Sequence, residues 1–167
     1  MKKLLLASLV VALFAGMAMA QADETATVDV SVNVNGIWSI ALSSGTVDFG
    51  NMDPGANATA GVTATVRTNQ KIAWYLKLNK DQDLTHTVDG TETIPSASFL
   101  YAGSGGAGTW VDGEFPLAAT IGYTATVAER KAAAGIALTT TYDLTIPAEA
   151  VAGTYTNTIT YTLTATP

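Results

Sequence analysis

From Thr25 to the C-terminus, apolar and polar side chains alternate with a period of two, a pattern that leaves room for little except pleated strands. In residues 25–35, Ala26, Val28, Val30, Val32 and Val34 share one parity, and Thr25, Thr27, Asp29, Ser31, Asn33 and Asn35 the other. Successive side chains of a strand point to opposite faces, so this segment predicts one strand with a continuous valine face. The pattern returns at Val62, Ala64 and Val66, at Ile72, Trp74, Leu76 and Leu78, and at Ile121, Tyr123, Ala125 and Val127. It returns again at Leu138, Tyr142, Leu144 and Ile146. The closing stretch 154–165 sets threonine at every second position and Tyr155, Ile159, Tyr161 and Leu163 on the other parity.

Shorter candidates at 37–42, 46–49 and 97–101 bring the total to about eight or nine strands. Turn chemistry at Pro54-Gly55, at Val88-Asp89-Gly90 and in 147–153 separates them. The expected fold is all-β: a single antiparallel β-sandwich of immunoglobulin-like, Greek-key type over residues 21–167. Residues 128–135 are the one helical candidate, two turns at most and ending on Gly135. The stretch Gly103–Gly108 reads as a flexible loop; a phosphate cradle would need a lysine and a hydroxyl residue opening a helix.

Ahead of the strands, Lys2 and Lys3 precede an apolar run that closes on Ala18-Met19-Ala20, the form of a secretory signal cleaved after Ala20. The run from Leu4 to Phe14 is short for a membrane anchor. Cleavage would leave 147 of the 167 residues, a length suited to one domain, and would move the formal charge from −6 to −8. An acidic chain without a basic cluster is a poor partner for nucleic acid or anionic lipid. Cysteine is absent, which excludes disulfides, thiol catalysis and thiolate metal sites. Packing and sheet hydrogen bonds are therefore expected to carry stability. The expected location is outside the cytoplasm: secreted, at the cell surface or in a periplasm.

Chemistry-bearing residues are sparse. The single histidine, His86, lacks a serine in a recognisable nucleophile turn and reads as a solvated loop residue. Asp81, Asp83, Thr85 and Glu92 fall at positions 1, 3, 5 and 12 of a calcium loop, but His86 stands where that loop needs glycine, so metal is not expected. Asp48, Asp53, Asp112, Glu114, Asp143 and Glu149 sit mostly in turns and form no carboxylate pair readable from spacing. No catalytic residue, cofactor or small-molecule substrate is assigned. Trp74 and Leu76 share a face with Ile72 and Leu78 and read as core. Trp110, in its glycine-rich surroundings, reads either as an exposed contact residue or as a plug folded onto the sandwich.

Three stretches resemble a family: TVDFGNMDPG at 46–55, which includes Phe49 and Gly50, Trp74-Tyr75-Leu76, and LTIP with AGTYTNTITYTLTATP from 144 to the end. Together they are similar to the WxL domain of bacterial cell-surface proteins, with Tyr161-Thr162-Leu163 at the second motif position in place of Trp-x-Leu. Spore-coat-type and fimbrial sandwiches end on similar strands. The resemblance implies a non-enzymatic structural or binding module attached non-covalently to the envelope, its partners a cell-wall polymer or other surface proteins. The residues themselves raise an alternative, a self-associating fibre or pilus subunit. In it Val28, Val30, Val32 and Val34 lie on a strand donated to a neighbouring copy.

Overall fold

The computed structural model describes residues 24–167; the export signal read at residues 1–20 lies outside the described residues. The chain divides between Val34 and Asn35 into two units. In the first, residues 24–34 are free of secondary structure and exposed throughout. The strand expected at 25–35 has therefore no ladder, and the sandwich proper is the second unit, Asn35–Pro167.

That unit is an all-β, sandwich-like fold with three antiparallel sheets. In chain order its strands are β1 (Trp38–Leu42), β2 (Asn57–Thr68), β3 (Tyr75–Lys80), β4 (Leu84–His86), β5 (Thr93–Ile94), β6 (Phe99–Gly105), β7 (Thr109–Trp110), β8 (Gly113–Glu114), β9 (Thr120–Thr124), β10 (Ile136–Thr145), β11 (Tyr155–Thr156) and β12 (Ile159–Thr164). One sheet has the order β1-β2-β10-β6-β8, the second β12-β3-β9-β7, and a small third β11-β4-β5. The count exceeds the eight or nine expected because several strands are two-residue ladders.

The centre of the large sheet is β10, paired over ten residues with β2 and over seven with β6. Both β2 and β10 are rich in threonine and β-branched or aromatic residues, which suit a half-buried pleat. Thr63 and Thr139, directly opposed, hydrogen-bond through their hydroxyls at 2.9 Å. Inward parity fills the core with Val62, Ala64, Val66, Leu138, Tyr142 and Leu144 from this sheet and Trp74, Leu76, Leu78 and Tyr123 from the other. Phe99, Tyr101, Phe115 and Tyr142 form an aromatic cluster with ring centroids 4.6–5.9 Å apart.

Four local expectations are corrected. Residues 46–49 form no strand, although Val47 and Phe49 pack against the core. Ile72 and Val127 are exposed, because β3 begins only at Tyr75 and β9 ends at Thr124. The closing stretch is two strands in two sheets, since the Asp81 carboxylate takes the Thr158 N–H at 2.8 Å and breaks the ladder there. Residues 128–135 form turns rather than a helix, a length too short to sustain one without packing. Gly135 does take positive φ (77°) and donates to the Lys131 carbonyl at 3.2 Å, closing a single turn.

Candidate functional site

The largest departure from a closed sandwich lies at the N-terminal segment and at the sheet edges. Val28, Val30, Val32 and Val34 are 85%, 89%, 87% and 74% exposed, and solvated single valines in a row of four are unusual for a chain with ample core. The root of this segment is held. Asn69, just past β2, donates from its amide to the Asn35 carbonyl at 2.8 Å and accepts the Ile37 N–H at 2.8 Å. Asn35-Gly36 would otherwise be a strong hairpin signal, because a type I′ turn places both residues at positive φ. Neither has positive φ here, so residues 35–37, tied to Asn69, do not form that turn.

At the other end of the chain, β12 pairs with β3 on one side and, among the described residues, with nothing on the other. Ile159, Tyr161 and Leu163 point inward yet stay half-buried, while Thr160 and Thr162 are exposed. Tyr161 reaches across the sandwich to Tyr142, hydroxyl to hydroxyl at 2.7 Å. Burial pushes the pKa of both phenols up, so the pair stays neutral and hydrogen-bonded across the physiological range.

The remaining motif positions are structural in their contacts. Trp74 and Leu76 are fully buried, and the Trp74 indole donates to the Glu129 carbonyl at 3.0 Å. Phe49 sits edge-on to Phe99 at 6.3 Å, and Gly50 takes φ 69° beside it, with its N–H on the Asp48 carboxylate at 2.8 Å. Leu163 is half-buried opposite Leu76.

Trp110 lies half-buried on Tyr123 (centroids 5.1 Å), its indole N–H on the Gly105 carbonyl at 3.1 Å. Of the two sequence readings this is the plug, with a partly open outer edge. The glycine-rich stretch is correspondingly no loose loop. Gly103 and Gly105 belong to β6, and a Cβ on Gly103 would sit 1.9 Å from the Trp110 ring.

Glu129, which sequence reasoning placed in a helix, is nearly buried and closes this corner. Its carboxylate accepts the Tyr123 hydroxyl at 2.6 Å and the Ala107 N–H at 2.7 Å. Tyr123 also accepts the Gly108 N–H at 2.7 Å, and burial followed by the Glu129 contact drives its pKa up.

His86 is no solvated loop residue. It is nearly buried on β4, packed edge-on to Tyr155 at 5.2 Å. Its Nδ1 accepts the Asp89 N–H at 2.8 Å and the Val88 N–H at 3.2 Å, which leaves the proton on Nε2, 3.3 Å from the Ala152 carbonyl. The three acids of the calcium-loop pattern diverge. Asp81 holds Thr158, Asp83 accepts from Lys80 and Ser96, and Glu92 is half-buried with no side-chain hydrogen bond to either.

Lys80 was missed by sequence reasoning although it continues the inward parity of Trp74, Leu76 and Leu78. It is 2% exposed, its ammonium bonded to Asp83 and Ser96. Among the described residues no group of three or more acids or histidines is placed to hold a metal. Two open surface depressions carry carboxylates already engaged by the chain: Asp112 takes the Gly103 N–H, Asp143 the Asn57 amide, and Glu129 the partners above. No family model, curated protein or solved structure matches the chain.

Proposed function

We propose that the protein is an exported structural subunit of the cell envelope that self-associates by donating its N-terminal valine segment to a sheet edge of a neighbouring copy. The observation that carries this reading is the exposure of Val28, Val30, Val32 and Val34 on a segment patterned as a strand and lacking a ladder. Strand addition would satisfy its backbone groups and cover the four valines together. Location outside the cytoplasm is supported by the signal-like residues 1–20. Direct attachment to a cell-wall polymer through the WxL-like positions has less support, because Trp74 and Leu76 are fully buried and can act only through the fold.

The test is light scattering of the chain beginning at Gln21 across a concentration series, beside Val30→Asp/Val32→Asp. Association is expected in the wild type and weakened roughly 100-fold or more in the variant, since each aspartate would carry a charge into an apolar interface. Unchanged circular dichroism and denaturation midpoint are expected for the variant. A wild type that stays monomeric throughout, or a variant that associates equally well, overturns the proposal.

A further inference from the structure

Resting on the self-association reading, we infer that the acceptor is the free edge of β12, which receives residues 25–34 of a second copy. Most sheet edges are too short to compete: β5, β7, β8 and β11 are two residues each, leaving β1 with five and β12 with six.

The two sheets are also offset. Trp110 of β7 lies against Gly103 of β6, and Gly122 of β9 lies near the Tyr101 hydroxyl of β6, whereas Tyr161 of β12 meets Tyr142 of β10. The large sheet therefore continues by two strands, β2 and then β1, past the strand that β12 faces; the inward Val62, Ala64 and Val66 of β2 are nevertheless fully covered, so the opening is confined to β1. On β1 the inward Trp38 and Ile40 remain half-buried and Leu42 is 41% exposed. A strand added to β12 would extend the smaller sheet toward the half-exposed inner face of β1, whereas one added to β1 would extend the sheet that is already wider.

Side-chain parity fits the same placement. Valines beside Ile159, Tyr161 and Leu163 would close the apolar side, and Thr27, Asp29, Ser31 and Asn33 would join Thr160 and Thr162 on the polar side. Residues 154–166 hold no charge and no proline, so this edge carries none of the usual devices that blunt strand pairing. Donor and acceptor are different surfaces of one chain, so the contact is head-to-tail and builds an open filament unless its rotation happens to close a ring.

The test is amide hydrogen exchange on the chain from Gln21, compared between dilute and associated samples, with Val30→Asp/Val32→Asp as the unassociated control. The expected result is exchange slowed roughly tenfold or more in 25–34 and 159–164 together, in the associated wild type alone. Association that protects 25–34 but leaves 159–164 unchanged, for instance with protection at Trp38–Leu42 instead, overturns the β12 acceptor and leaves the subunit reading standing. A chain that never associates overturns both.

Discussion

Val28 to Val34 and Trp74 to Leu78 carry the same alternating pattern and the opposite burial. The four valines are 74–89% exposed, whereas Trp74, Leu76 and Leu78 are at 0%. Alternation specifies a pleat with an apolar face; it does not specify what covers that face. Residues 74–78 lie in or beside β3, which has β12 on one side and β9 on the other, a ring of core residues below, and an indole hydrogen bond to Glu129. For the valine segment the described residues supply neither ladder nor cover. The difference is one of available partners, and partners from another chain leave no trace in a single chain's periodicity.

The sharpest way to break this comparison is to truncate both sides. Trp74→Ala is expected to cost about 3–5 kcal/mol of unfolding free energy, from lost burial and the vacated cavity. Val32→Ala should change the dilute monomer by no more than about 0.5 kcal/mol. Urea denaturation at low concentration reads both. A Val32→Ala loss of several kcal/mol would show that the valines belong to their own chain's core.

Glu129 sharpens the buried side. Glu129→Ala leaves the Tyr123 hydroxyl and the Ala107 N–H without their acceptor, and a loss of about 1–3 kcal/mol is expected. Glu129→Gln, which keeps the length and one acceptor oxygen, should lose less. Equal losses in the two variants would mean that the side chain acts by filling space.

Much of the fold could be read from the pattern alone: the all-β sandwich, β2, β3, β9, β10 and the residues of β12 follow from period-two runs, and β1 and the first half of β6 from the shorter candidates. What could not be read depends on single polar contacts at a distance. The break at Asn157-Thr158 arises from Asp81, 77 residues away, taking the Thr158 N–H. Residues 128–135 have helix-forming composition, but Glu129 turns inward to Tyr123 and Ala107, and what remains is too short to nucleate a helix. His86 read as solvated because polar residues surround it in sequence, yet its ring is closed in by Tyr155 and the Gly153 backbone from the far end of the chain. Lys80 had a legible signal, a lysine on core parity with an acid three residues on. The candidate site was legible only in half: the alternating valine segment stands out in the sequence, while its exposure, the free side of β12 and the Asn69 hydrogen bonds require the structure.

Asn69 sits on the boundary between the two regions. Asn69→Ala removes two hydrogen bonds at an exposed site and is expected to cost about 1 kcal/mol. Its more telling consequence is directional. With Asn35-Gly36 released, the hairpin turn becomes accessible and the valines can close onto their own β1, so association should weaken while protection of Trp38–Leu42 rises. Association unchanged by Asn69→Ala would mean that these hydrogen bonds do not set the direction of the donor.

The smallest effect expected is that of acid. The Thr158 N–H holds the Asp81 carboxyl below its ordinary value, and the Lys80 hydrogen bond does the same for Asp83. A depressed folded pKa means that the unfolded chain binds more protons between the two values. The contribution to stability is therefore complete above the ordinary value of 3.8 and disappears as pH falls through the depressed one. Asp81 is exposed and Asp83 half-buried, so screening by solvent should keep the slope shallow. It should also be local: amide exchange at Thr158 should quicken in acid relative to its intrinsic rate, while the amides of 25–34 in the dilute monomer, lacking a ladder, gain or lose nothing. Asp81→Asn keeps an acceptor for Thr158 without a titrating group and should flatten the response at that amide. Acid-dependent protection in 25–34 of the monomer would instead tie the valine segment to the sandwich of its own chain and remove the contrast between the two regions.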